Sequence, residues 1–192
     1  MAEIKDKFWL DEKQAALVVI DVQEKLAPAM DQELYRQLIL HTNLLIEGFK
    51  ALSLPIIATE QYSKGLGHTV AELKGATDQS CVEKIAFSCC GEGHFVEALE
   101  KTGAKQVLIV GMETHVCVLQ TILDLLDRGY VVHLVRDAVC SRFKSDYDNA
   151  ISTAERAGAV ITTTETALFQ LVKVAGTEGF KTVSKLVRQR TP

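Results

Sequence analysis

Residues 107–126 read VLIVGMETHVCVLQTILDLL, and their pattern changes period at Gly111. The run Val107-Leu108-Ile109-Val110 is uninterrupted apolar, as suits a strand buried on both faces of a parallel sheet. Beyond Gly111, residues Val116, Leu119, Ile122, Leu123 and Leu126 recur at helical spacing, and Gly129 supplies a stop. The stretch therefore predicts a strand, a break, and a helix opening near Thr114. Cys117 falls in the first helical turn, at the carboxyl end of a strand. The positive end of the helix dipole favours a thiolate there. Unpaired backbone N–H groups at the same helix start can bind a developing oxyanion. A buried cysteine packing as a small hydrophobe is the competing reading of this position.

The same alternation extends in both directions. Residues 15–20, AALVVI, form a second strand buried on both faces, ended by Asp21. A carboxylate there lands at the sheet edge where open α/β folds place their sites, although a local turn bond would also explain it. Asp31 suits an N-cap for a helix whose apolar face runs through Leu34, Leu38, Leu45, Phe49 and Leu52. Residues 55–59 predict strand two, followed by a polar, glycine-bearing loop over residues 60–68. Residues 83–87 predict a short third strand, and 130–135 and 160–163 the last two. Ser145, with Asp148 three residues on, gives a capping-box-like helix start. Further helices are expected over residues 165–174 and around Phe180, Val183 and Leu186. Strands and helices alternate throughout. The predicted architecture is one domain spanning residues 1–192, a three-layer α/β/α, Rossmann-like fold on a doubly wound, six-stranded parallel sheet.

Composition narrows the function. With 47% hydrophobic and 24% charged residues among 192, the chain is an ordinary globular sequence. A net charge of -4 gives no reason to expect nucleic acid as a partner. The start lacks the apolar core of a signal peptide, and no apolar run is long enough to span a bilayer. Five cysteines at irregular spacing suggest neither a disulfide framework nor a zinc site, so a cytoplasmic chain with reduced thiols is expected.

Three groups stand out at strand ends: Asp21, Lys84 and Cys117. Lys84 precedes Ile85-Ala86-Phe87, and a buried ammonium requires a carboxylate partner. Asp21 is the candidate if their strands are neighbours; a lysine snorkelling from a strand end is the alternative. Together the three answer one chemical need, because a thiol near neutral pH requires a base or a neighbouring cation to become a good nucleophile. The adjacent pair Cys89-Cys90 is not a C-x-x-C motif and reads as packing or pocket lining. His115, two residues before Cys117, does not face it on a helix, so a Cys–His dyad is not expected.

These elements resemble the isochorismatase-like cysteine hydrolases. The matching segments are Val18-Val19-Ile20-Asp21-Val22-Gln23, Lys84 before Phe87-Ser88, and Gly111-Met112-Glu113-Thr114-His115-Val116-Cys117-Val118. Residues 59–62, 64–67 and 125–129 look closer still to the metal-free branch that includes the isochorismatase-domain-containing proteins of animals. The resemblance implies an Asp21–Lys84–Cys117 catalytic triad cleaving an amide- or imide-type C–N bond of a small molecule through a thioester. It also implies a cis peptide between Met112 and Glu113, an oxyanion hole from the Glu113 and Cys117 N–H groups, a turn braced by Thr114, and a homo-oligomer. Substrate-pocket candidates are Gln23, Gln61, Phe87 and Cys89. Nicotinamidases of the superfamily carry an Asp-x-His-x-x-His metal site after strand two. Here Gln61 and a single nearby imidazole, His68, stand in that loop, so no metal or other cofactor is expected. A non-catalytic, oligomeric binding or scaffold protein of the same fold is the alternative. Phosphoryl chemistry at Asp21 lacks the acidic cluster that would hold Mg²⁺.

Overall fold

The computed structural model describes residues 4–73 and 75–190. The strands are β1 (Ala15–Ile20), β2 (Ile56–Gln61), β3 (Cys81–Lys84), β4 (Gln106–Met112), β5 (Val131–Cys140) and β6 (Val160–Thr162). The helices are α1 (Ile4–Phe8), α2 (Gln32–Ala51), the single turn α3 (Ser63–Leu66), α4 (Gly93–Lys101), α5 (Leu119–Asp127), α6 (Lys144–Ala157), α7 (Thr164–Val172) and α8 (Glu178–Val187). All strand pairs are parallel, in the order β3-β2-β1-β4-β5-β6. The chain order reverses direction between β1 and β4, which is where such sheets open a crevice at their carboxyl edge.

Successive residues of β1 and β4 point to opposite faces, and both faces are covered. Leu17, Val19, Leu108 and Val110 pack with Leu38, Leu45, Phe49 and Leu168 on the side of α2 and α7. Val18, Ile20, Val107 and Ile109 pack with Phe95, Ile122, Leu125 and Ala154 on the side of α4, α5 and α6. Every residue of β1, β2 and β4 is buried. The expected α/β/α architecture is present.

Several local expectations need correction. The third strand covers Cys81–Lys84 and not residues 83–87; beyond it Ile85 and Phe87 are 67% and 55% exposed. Strand β5 runs five residues past Val135, through a register shift opposite Ile109 and Gly111. The helix expected at Ser145 begins at Lys144 with no side-chain cap, and Asp148 pairs with Lys144 instead. Leu34 lies on the outer face of α2. Asp31 does cap that helix, accepting from the Glu33 and Leu34 N–H groups.

Gly111 is required by close packing. Its φ is +120°, and a Cβ there would stand 2.0 Å from the Ile20 carbonyl oxygen. This contact brings the end of β4 tightly against the end of β1, where Asp21 turns away.

Candidate active site

Asp21 leaves β1 with φ +48°, a left-handed conformation that costs a non-glycine residue of order 1–3 kcal/mol and needs support from its surroundings. Thr59 supplies that support twice. Its carbonyl accepts the Asp21 N–H at 3.2 Å, and its hydroxyl donates to Asp21 Oδ1 at 2.7 Å. The carboxylate is thereby fixed with Oδ2 facing Lys84.

Lys84 ends β3, two strands away from β1, with β2 between them. The two strands are not neighbours, yet Asp21 is still the carboxylate that Lys84 meets. The lysine instead reaches across the end of β2 to place Nζ 2.7 Å from Asp21 Oδ2, both side chains being fully buried. Its three N–H bonds go to Gln61 Oε1 (2.7 Å), the Phe87 carbonyl (2.9 Å) and the Ala86 carbonyl (3.1 Å). Asp21 Oδ2, at 2.7 Å, is a fourth oxygen around an ammonium that has three donors, and its contact is charge-assisted. Burial is the largest influence and disfavours the ammonium, but the neighbouring groups, Asp21 first and then the cysteines, together outweigh it and the Lys84 pKa is raised.

Cys117 lies not in a regular first α-turn but in a wide π-type turn, Thr114–Val118, that precedes α5. The Val116 and Val118 N–H groups both reach back to the Glu113 carbonyl, at 3.1 and 3.3 Å. Such turns are rare and occur mostly where a site requires them. The thiol is 6% exposed and 3.9 Å from Gln61 Oε1. Its pKa is raised, not depressed as the helix-dipole argument suggested: burial comes first, then the Asp21 charge, against a smaller opposing pull from Lys84. These shifts favour a charged lysine beside a neutral thiol.

The remaining candidates divide. The Met112–Glu113 peptide is cis. Gln61 belongs to the constellation, its Oε1 touching both the ammonium and the thiol while its Nε2 donates to the Ile85 carbonyl at 2.6 Å. Gln23 is a clamp and not a pocket wall. Its amide donates to the Gln61 and Gly67 carbonyls and accepts the Gln61 N–H, which ties the loop after β2 to β1. The Phe87 ring is exposed while its carbonyl serves Lys84. Cys89 is fully buried, its thiol pushed up to about 12 by burial and then by Asp21, so it lines no open pocket. Thr114 does not brace the turn through its side chain, because its buried hydroxyl has no partner. His68 lies outside the constellation and pairs with Glu60 at 2.9 Å.

Five residues escaped the sequence reading. Thr59 orients Asp21. Thr121 accepts the Cys89 N–H and donates to the Cys117 carbonyl. Ser141 bonds the His115 ring, and Arg142 holds Glu113. Asp146 stands 3.8 Å from the far side of that ring. Ser141 and Arg142 follow the true carboxyl end of β5, so the strand-end rule would have flagged them had that end been placed correctly. A surface cavity of about 350 Å³ lies away from this constellation, framed by Trp9, Leu10, Gln14 and Gln106 at the opposite edge of the sheet. The chemistry of the buried groups, and not cavity depth, designates the site.

The fold and this constellation define an α/β/α protein of hydrolase type with a thiol, a carboxylate and an ammonium at the carboxyl edge of its sheet. The chain belongs to the isochorismatase family, whose domain model matches residues 15–166. It is 41% identical over 183 residues to a secreted isochorismatase effector, Isc1, of Phytophthora sojae, covering 91% of this chain and 85% of the relative. A Caenorhabditis elegans structure described as MAR1 ribonuclease superimposes with a TM-score of 0.89 at 41% identity, over 96% of this chain and 94% of the other. The Escherichia coli YcaC product, described as an octameric hydrolase of unknown specificity, gives a TM-score of 0.83 at 26% identity, over 93% and 90%.

Proposed function

We propose that this protein is a cysteine hydrolase that opens a C–N bond of the amide or imide type in a small molecule. The observation that carries the reading is the buried Asp21 carboxylate, its Oδ2 held 2.7 Å from the Lys84 ammonium and its charge felt by the Cys117 thiol. It is a proton acceptor beside a thiol that is otherwise kept neutral.

In the proposed cycle the Cys117 thiol proton passes to Asp21 as Sγ bonds the substrate carbonyl carbon. The C=O electron pair moves to oxygen, where the Glu113 and Cys117 N–H groups meet the negative charge. Collapse breaks the C–N bond, the Asp21 proton goes to the leaving nitrogen, and a thioester remains. Water then attacks the thioester with Asp21 as base, releasing the acid and restoring the thiol. Lys84 holds the carboxylate in place and keeps the pocket near neutrality through each proton transfer.

Family likeness supports the hydrolase assignment and a homo-oligomer, the YcaC relative being described as octameric. Five free thiols favour a reducing, cytoplasmic setting. Among the described residues no helix is long and apolar enough to cross a membrane. A nuclease reading, suggested by the name of the C. elegans relative, has less support. The net charge is -4, and the one ammonium at the site is already neutralised by Asp21. The burial and raised pKa of Cys117 favour a second reading, an inert thiol in a binding or scaffold protein of the same fold.

The test is a panel of small amides and imides, with acyl-Cys117 trapped and identified by intact mass. Turnover with a thioester that Cys117→Ala abolishes is expected. No acyl-enzyme and no turnover across the panel would overturn the hydrolase reading in favour of the scaffold.

A further inference from the structure

We propose that the β5–α6 junction is a two-armed clamp that sets the oxyanion-binding turn, with Ser141 and Arg142 as its positioning residues. The inference rests on the hydrolase reading above. Strand β5 pairs Cys140 with Met112, so Ser141 and Arg142 emerge level with Glu113. One arm grips the residue before Thr114. The Arg142 N–H and its Nε both donate to Glu113 Oε2, at 3.0 and 3.1 Å, on a carboxylate that is 9% exposed. The other arm grips the residue after it. The Ser141 hydroxyl, on a residue 2% exposed, shares a 3.0 Å hydrogen bond with His115 Nδ1, and Asp146 faces Nε2 of the same ring.

Glu113 and His115 thus anchor both flanks of Thr114, where the cis peptide gives way to the wide turn carrying Cys117. A π-type turn is an unfavourable backbone arrangement and persists only if its surroundings fix it. Among the described residues, no hydrogen bond or ion pair joins a member of the clamp to the Cys117 sulfur, Asp21 or Lys84. Those groups are held from β1, β2 and β3 by Thr59 and Gln61. The site therefore has two separately supported halves. One governs the proton and charge of the thiol, and the other governs where the backbone donors point.

That division makes the proposal testable, because two reactions of Cys117 draw on different halves. Alkylation by iodoacetamide needs the thiolate but forms no oxyanion. Acylation by p-nitrophenyl acetate forms one: the Sγ–C bond is made, the thiol proton goes to Asp21, and the ester C–O bond breaks to release p-nitrophenolate. Ser141→Ala and Arg142→Met are each expected to slow the acylation burst about tenfold, and the double variant about a hundredfold. Alkylation should stay within about twofold of the wild-type rate, and Ser141→Thr, which keeps the hydroxyl, should acylate normally. A wild-type burst with undiminished bursts in the variants would overturn the clamp alone. Parallel losses of alkylation and acylation would overturn it as well, by showing only general loosening. No burst in wild type, with Cys117 still alkylated, would overturn the hydrolase reading and the clamp with it.

Discussion

Replacing Asp21 with asparagine sets the proton acceptor against the environment of the thiol, and the two are expected to respond in opposite directions. In the wild type the Asp21 charge raises the thiol pKa and offsets the pull of Lys84. Asparagine keeps the side-chain shape and removes the negative charge. The ammonium loses its charge partner but retains three acceptors, Gln61 Oε1 and the Ala86 and Phe87 carbonyls, and for a protonated Lys84 the pull on the thiol is then unopposed. Both the ammonium (2.7 Å) and the thiol (3.9 Å) touch Gln61 Oε1, so sulfur and Nζ stand no more than about 6.6 Å apart. At an effective dielectric of about 20, unit charges at that separation attract by about 2.5 kcal/mol, and at twice that dielectric by roughly half as much. Freed from Asp21, that attraction increases the thiolate population by roughly tenfold to seventyfold.

The expected result is therefore faster reaction of Cys117 with iodoacetamide at pH 7 in Asp21→Asn, by at least about tenfold, alongside a loss of amide turnover of about 10²–10⁴-fold, the usual worth of a general base. The assay is site-resolved labelling by mass spectrometry, with Cys89 as an internal control because it is fully buried. Limited access to the 6%-exposed Cys117 affects both proteins alike and cancels in the ratio. Slower labelling of Asp21→Asn than of wild type, in a protein that remains folded, would refute the charge arrangement argued here.

Three further outcomes follow from the packing. Lys84→Met leaves Asp21 as an unpaired buried charge and should cost about 3–5 kcal/mol in urea unfolding; adding Asp21→Asn should recover a large part of that loss, and strict additivity would count against the pair. His133 is fully buried, and burial pushes its pKa down to about 4 against a smaller opposing pull from the Lys7 backbone. Because the unfolded chain binds the extra proton first, its contribution is complete above about pH 6.5 and falls away toward pH 4, by about 3 kcal/mol. His133→Leu should flatten that part of the stability–pH curve, and an unchanged acid slope would exclude His133 as its source. Gly111→Ala drives a Cβ into the Ile20 carbonyl and should cost more than about 4 kcal/mol, so near-wild-type thermal stability would contradict the close β1–β4 contact.

The parts legible in the sequence were those with a single physical solution. A six-residue apolar run such as AALVVI, set among alternating helices, suits a strand covered on both faces of a parallel sheet, so β1 and the core of β4 fell where expected and carried Asp21 and Cys117 to the same edge. Strand β3 misled because it is an edge strand with a mixed pattern. The apolar Ile85 and Phe87 beyond it face solvent while the lysine turns inward. Strand β5 looked short because its register shift breaks the alternation at Arg136 and Asp137, which hid Ser141 and Arg142. Gln23, a pocket candidate through the family resemblance, instead binds backbone groups 38 and 44 residues away.

The sign of the thiol shift was the largest miss, and it bears directly on mechanism. A helix start and a nearby lysine both argue for a thiolate when each is considered alone. In the folded chain the lysine is already committed to a carboxylate 2.7 Å away, and burial penalises any additional charge. A pocket holding one carboxylate and one ammonium is neutral, and a neutral thiol keeps it so. In the proposed cycle, attack requires the proton to move to Asp21 as sulfur bonds to carbon, which places the new negative charge on the substrate oxygen. On that proposal the backbone donors of the Glu113–Cys117 turn become useful only at that moment. The proposed site binds its substrate with the nucleophile unarmed and develops charge where the turn can receive it. The wide turn and the cysteine are thus two parts of one requirement.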